Sequence, residues 1–144
     1  MASYHFHLTQ VKRSRGQSVI AQAAYRAGEK LYSTYYGESS DFTRKRGVVM
    51  AEICLPDHAP REYADRETLW NALEWAESGR KAQLAHSFDI TLMNEFSMEE
   101  NIEMVRAFVQ EELVSRGMIA DFAIHDPVRP KGAEPNPHIH ILVP

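Results

Sequence analysis

Over residues 3–9, "SYHFHLT", apolar and polar side chains alternate, which sets Tyr4, Phe6 and Leu8 on one side of a strand and His5 and His7 on the other. The period then changes. Beyond the turn at Gly16, Val19, Ile20, Ala23, Ala24, Ala27 and Leu31 recur at helical spacing, so a helix is predicted over 18–31 with Ser18 as its N-cap. The polar run "TYYGESSDFTRKRG" reads as a loop, and a strand at about 47–55 stops at Pro56. A second helix is expected from near Asp65 to Gly79, and a strand over 82–93. Ser97 and Glu100 form a capping box for a third helix, whose Ile102, Val105, Phe108, Val109 and Leu113 keep one face as far as Gly117. Two last strands, about 118–125 and 137–143, flank "DPVRPKGAEPNP", whose four prolines and one glycine mark a long loop between hairpin partners. The pattern predicts an α+β fold, with about five antiparallel strands and helices mainly on one face.

That closing hairpin carries chemistry. In "NPHIHIL", His138 and His140 share a strand face because side chains two apart point the same way. Such a pair alone also describes ordinary exposed imidazoles. If the last two strands pair, however, His125 at the end of the first lies beside both, and three imidazoles converge while leaving part of a metal's coordination shell open. His5 and His7 form a similar pair without an adjacent third histidine, and are expected to line the same site at most. On the first helix the apolar stripe leaves Tyr25 on the opposite side, with Ser18, Ala21, Gln22 and Glu29. An exposed phenol on a packed helix is a candidate nucleophile or stacking platform.

Composition narrows the classes. With 144 residues, 44% hydrophobic and 25% charged, one domain with one core is expected. No apolar run reaches membrane-spanning length and the start lacks signal-peptide order, so a cytoplasmic protein without a membrane partner is expected. Cys54 is the single cysteine, which excludes an internal disulfide. The net charge of −4 divides unevenly: residues 1–50 carry +5 and the remainder −9. Lys12, Arg13, Arg15, Arg26, Lys30, Arg44, Lys45 and Arg46 make the first third a candidate surface for phosphates.

The segments "GQSVIAQAAYRAGEKL", "DFTRKRGVV", "DRETLWNALEWAE", "GMIADFAIHDP" and "NPHIHIL" together resemble the N-terminal relaxase domain of the MobA/MobL family of plasmid mobilisation proteins. The resemblance spans nearly the whole chain and implies a single relaxase domain over 1–144, continuing in family members with further C-terminal helices. It implies the HUH-endonuclease palm shared with rolling-circle replication initiators. It further implies metal-dependent nicking and strand transfer at a plasmid transfer origin through a 5′-phosphotyrosine. Tyr25 would be the nucleophile, and His125, His138 and His140 would hold a divalent metal, Mn²⁺ or Mg²⁺. Lys12, Arg13, Arg15, Arg26, Arg44, Lys45 and Arg46 would contact single-stranded origin DNA, with relaxosome accessory proteins and a coupling protein as partners. In "LAHSFDITLMNEF" the sequence departs from the family, which usually has an acid where Ser87 stands and often a proline where Met93 stands. Asp89, on the same strand face as Ser87, is then the candidate to orient a histidine or draw the tyrosine proton, with His86 and Ser87 as further accessory positions. The rival readings are a replication initiator using the same chemistry, a DNA-binding remnant that no longer cleaves, and a three-histidine zinc hydrolase acting on small molecules.

Overall fold

The computed structural model describes residues 5–144. Five strands make one antiparallel sheet in the order β1-β5-β7-β6-β4: β1 (Phe6–Lys12), β4 (Val48–Cys54), β5 (Gln83–Thr91), β6 (Ala120–His125) and β7 (His138–Val143). The last strand in sequence is therefore the central one. β7 reads isoleucine, isoleucine, valine on one face and histidine, histidine, leucine on the other, because it is covered differently on its two sides. Behind Ile139, Ile141 and Val143, the helix α3 (Met98–Glu112) packs Val105 and Val109 over Phe122 and Ile124. The capping box of Ser97 and Glu100 starts α3, each side chain satisfying the other's backbone N–H.

On the histidine face, α1 (Val19–Ala27) and α2 (Arg66–Ala76) pack Val19, Ile20, Ala23, Ala24, Leu69 and Trp70 against Val11, Ala85 and Leu142. Two of the three α-helices among the described residues thus share this face. α1 is fixed at its N-terminal end by the Ser18 side chain, which accepts from Ala21 N–H, and by the fully buried Glu74 carboxylate of α2. Glu74 accepts from the Ser18 hydroxyl, the Ile20 N–H and the Ser33 hydroxyl, so a charge placed at the positive end of the helix dipole also satisfies a free amide. Beneath the helices, buried Arg66 pairs with Asp121 of β6 and with Glu29, and Trp70 donates its indole N–H to the same Asp121 at 2.8 Å. The Asp121 carboxylate is matched in full, which is what a buried charge requires.

Three expectations are corrected. The helix predicted over 18–31 ends at Ala27, because Gly28 takes φ 67° and its N–H returns to the Ala24 carbonyl. Leu31 matched the helical phase yet is buried from β2 (Lys30–Ser33), which follows the end of α1 and pairs with β3 (Glu38–Asp41) as a small separate hairpin; only β3 falls inside the stretch read as a loop. The first predicted strand lies at Phe6–Lys12 rather than 3–9, and Tyr4 falls outside the described residues. No helix among the described residues is long and apolar enough to cross a membrane.

Candidate metal centre and nucleophile site

Strand register makes the histidine cluster. β6 and β7 pair with His125 opposite His138 and Ala123 opposite His140, while β5 sets Asp89 opposite His140. Directly opposed residues share a face, so His125, His138, His140 and Asp89 all project to the side that carries α1. The three ring centroids stand 4.5, 4.8 and 5.5 Å apart, and one ligand-capable atom from each ring lies within 4.8 Å of the others.

Each imidazole is also tied from behind. His125 Nε2 donates to the Arg26 carbonyl at 2.7 Å, His138 Nδ1 to the Asn136 carbonyl at 3.0 Å, and His140 Nδ1 bonds the Asp89 carboxylate. Acceptors on those nitrogens place the ring protons there, which leaves lone pairs on Nδ1 of His125 and on Nε2 of His138 and His140. Three ring nitrogens, each ring oriented by an outer partner, suit a divalent metal. Burial pushes the His125 pKa down to about 4, aided by His140, Lys45 and His138 against its bond to the Arg26 carbonyl. Burial likewise lowers His138. For Asp89, burial alone would raise the carboxyl, but the His140 hydrogen bond and the charges of His140, Arg26 and His7 hold it below the usual range.

The shift on His125 has a consequence for the metal-free protein. A folded pKa of about 4 against an ordinary 6.5 means that the unfolded chain takes up the proton first as pH falls. Stability from this group is complete above pH 6.5 and is lost as pH falls from 6.5 to about 4. Because the ring is only 4% exposed, the loss approaches about 3 kcal/mol at roughly 1.4 kcal/mol per unit. Urea titrations in a chelator are expected to show a steeper loss between these pH values for the wild type than for His125→Asn. Equal slopes would contradict the assignment.

Two clefts meet at the imidazoles. One, of about 400 Å³, runs past His5, Asp89 and Thr91 to His138 and His140. The other, of about 270 Å³, is closed by Tyr25, Lys45, Arg46, Gly47 and Pro127 around all three histidines. Tyr25 comes from the last turn of α1 and is 48% exposed, as its helical phase predicts. Gly47 lets the Lys45–Arg46 segment approach: at φ 87° its missing Cβ would stand 3.0 Å from the Asp126 carbonyl oxygen and 3.1 Å from Pro127 Cα. The His5 and His7 rings stack at 5.7 Å where β1 begins, and His5 lines the first cleft.

The other expected site residues separate. His86 is on the opposite sheet face, one residue out of phase with Ser87 and Asp89, and lines a groove with Leu8 and Arg15, so it is not an accessory of this site. Ser87 is buried and accepts from the Arg26 guanidinium at 2.6 Å. Arg26 is in turn spent inside the protein on Ser87 and Gln22, so its expected DNA contact is corrected to an internal one. Arg13 closes the C-terminal end of α2, donating to the Glu74, Glu77 and Gly79 carbonyls and lying 4.2 Å over the Tyr35 ring. It too is internal. Lys12 and Arg15 lie with Arg13 just ahead of α1, at the end opposite Tyr25, whereas Lys45 and Arg46 border the site and Arg44 is exposed beside them. The outer partners Arg26 and Asn136 act through backbone carbonyls, which leave no signature in sequence.

Asp89 bears on metal affinity through His140. Asp89→Asn keeps an acceptor but removes the charge that strengthens the imidazole as a donor, so Mn²⁺ affinity is expected to fall about tenfold, the lower end of what outer partners contribute. His86→Ala is the matched control on the far face. Calorimetric titration giving one affinity for wild type and Asp89→Asn would remove Asp89 from the site.

The model of the "MobA/MobL family" matches residues 17–144. The chain is 36% identical over 143 residues to the "Probable mobilization protein MobA" of Bifidobacterium longum, covering 99% of this chain and 25% of that protein. It is 38% identical over 152 residues to the "Conjugal transfer protein TraA" of Rhizobium radiobacter, covering 99% of this chain and 13% of that protein. The chain therefore spans a quarter or less of these two relatives. A solved structure from work on the molecular basis of vancomycin resistance transfer in Staphylococcus aureus superposes with a TM-score of 0.87 at 34% identity, over 99% of this chain and 70% of that one. A tyrosine and three converging imidazoles on a β1-β5-β7-β6-β4 sheet, with a family match across nearly the whole length, make this chain a member of the MobA/MobL family.

Proposed function

We propose that the chain is the DNA-nicking module of a plasmid mobilisation relaxase, cutting one strand at a transfer origin and retaining the 5′ end on Tyr25. The observation that carries this reading is the opening of an exposed phenol and three converging imidazoles onto one cleft bordered by Lys45 and Arg46. The names of the relatives, mobilisation and conjugal transfer, favour transfer over replication initiation as the setting. Relaxosome accessory proteins and a coupling protein are the partners that setting implies, in the cytoplasm.

In the proposed reaction the Tyr25 oxygen forms a bond to phosphorus and the bond from phosphorus to the 3′ oxygen breaks. The phenol proton leaves to solvent, and the departing 3′ oxygen is protonated to a hydroxyl. One phosphodiester replaces another, so the step is reversible and can reseal a strand. His125, His138 and His140 would hold a divalent metal, Mn²⁺ or Mg²⁺, which supplies charge neutralisation at the scissile phosphate. Asp89, the Arg26 carbonyl and the Asn136 carbonyl fix the three rings, α1 carries the phenol, and Arg44 and Arg46 meet neighbouring phosphates.

The test is a strand-specific cut. An origin oligonucleotide labelled on either side of the nick, incubated with the protein and Mn²⁺, is expected to yield one labelled fragment with a free 3′ hydroxyl and one label retained on protein. Binding without cleavage would favour the non-cleaving remnant.

A further inference from the structure

We propose that Lys45 is a positioning residue that holds the Tyr25 ring in its attacking orientation, a role distinct from contact with the DNA backbone; it rests on the cleavage reading above. Lys45 Nζ stands 3.3 Å from the centroid of the Tyr25 ring. The same ammonium donates at 3.0 Å to the backbone carbonyl of Tyr25 itself. Phe42, three residues earlier in the same segment, meets the ring edge-on at 5.3 Å and 89°. One loop therefore grips one residue by its ring face, its ring edge and its carbonyl.

The carbonyl contact follows from where Tyr25 sits. α1 ends at Ala27, so the Tyr25 carbonyl is among the last four, which have no intrahelical N–H partner, and a cation there also meets the negative end of the helix dipole. The loop is itself held: Lys45 N–H returns to the Phe42 carbonyl at 3.0 Å, and Asp126 N–H bonds the Gly47 carbonyl at 2.8 Å. Taking the ammonium out of water, beside the Arg26 guanidinium, lowers the Lys45 pKa. Arg44 and Arg46, both exposed, remain for phosphates. A phenol otherwise 48% exposed would sample several rotamers, and in-line attack needs its oxygen in one of them.

Lys45→Met keeps the aliphatic stem and removes the ammonium. The single-turnover cleavage rate constant at saturating oligonucleotide is expected to fall on the order of 10- to 10²-fold, the cost of a misplaced reacting group. The Kd for that oligonucleotide should move less than about threefold, with the slope of log Kd against log salt unchanged, whereas loss of a phosphate contact lowers that slope by about one. Lys45→Arg, whose guanidinium also stacks on aromatic rings, is expected to restore most of the rate. An unchanged rate constant with weakened binding and a smaller salt slope would overturn the proposal in favour of a phosphate contact. A second reading needs no cleavage: the Lys45 Hε resonances are expected upfield of ordinary lysine, shielded by the ring, keeping the shift in Tyr25→Phe and losing it in Tyr25→Ala. Absence of that shift in a wild type that cleaves overturns the clamp alone. A shift in a wild type that never cleaves overturns the catalytic reading, and the positioning role with it.

Discussion

Tyr25→Phe is expected to abolish strand cleavage and the covalent protein–DNA band while leaving oligonucleotide affinity within a few-fold of wild type. The substitution removes one oxygen at an exposed position in the last turn of α1, so neither the apolar stripe of that helix nor the Lys45 and Phe42 contacts to the ring face and edge are lost. What goes is the atom that would bond to phosphorus. Loss of a nucleophile typically lowers a rate constant by about 10³-fold or more, far beyond the effect of any surface contact. Retained affinity is the informative half of the result, because the ring still offers a face for stacking and the cations beside it are untouched. A Tyr25→Phe protein that cleaves at the wild-type rate would assign the nucleophile elsewhere.

The paired substitution His138→Ala, His140→Ala is the second large effect. It deletes two of the three nitrogens that lie within 4.8 Å of one another, leaving His125 alone at the site. Calorimetric titration is expected to show Mn²⁺ affinity reduced by more than the roughly 10- to 100-fold that loss of a single outer partner costs. Both side chains are only half-buried from a strand whose isoleucines hold the core, so the variant should fold. His58→Ala, in an exposed loop ahead of α2, is the control and should bind as wild type does. Equal Mn²⁺ affinity in the double variant would show that these imidazoles do not bind metal.

Much of the fold was legible because its signals are local. The capping box at Ser97 and Glu100, Ser18 before α1 and the proline-rich stretch between the last two strands each mark a boundary by chemistry within a few residues. The convergence of His125 with His138 and His140 needed one further assumption, that adjacent strands pair, and the register sets His125 directly opposite His138. What was not legible depends on partners far apart in sequence. Leu31 fits the phase of α1, and only the left-handed turn at Gly28 transfers it to β2. The four-residue strands β2 and β3 are too short and polar to show a period. Arg13 and Arg26 carry the same charge as Arg44 and Arg46, but the first two are consumed by carbonyls of α2 and by Ser87. Glu74 looks like a surface residue of an amphipathic helix, and its burial follows from the packing of α1 on α2.

The central claim is that Tyr25 itself becomes esterified to DNA. The most direct measurement is mass spectrometry of the trapped adduct: cleave an origin oligonucleotide with the protein and Mn²⁺, digest both components, and map the nucleotide-bearing peptide. The expected result is a single modified peptide spanning Tyr25, carrying a 5′-phosphonucleotide on the phenolic oxygen. A modification mapped to any other residue, or cleavage that leaves every peptide unmodified and a free 5′ phosphate in solution, would contradict it.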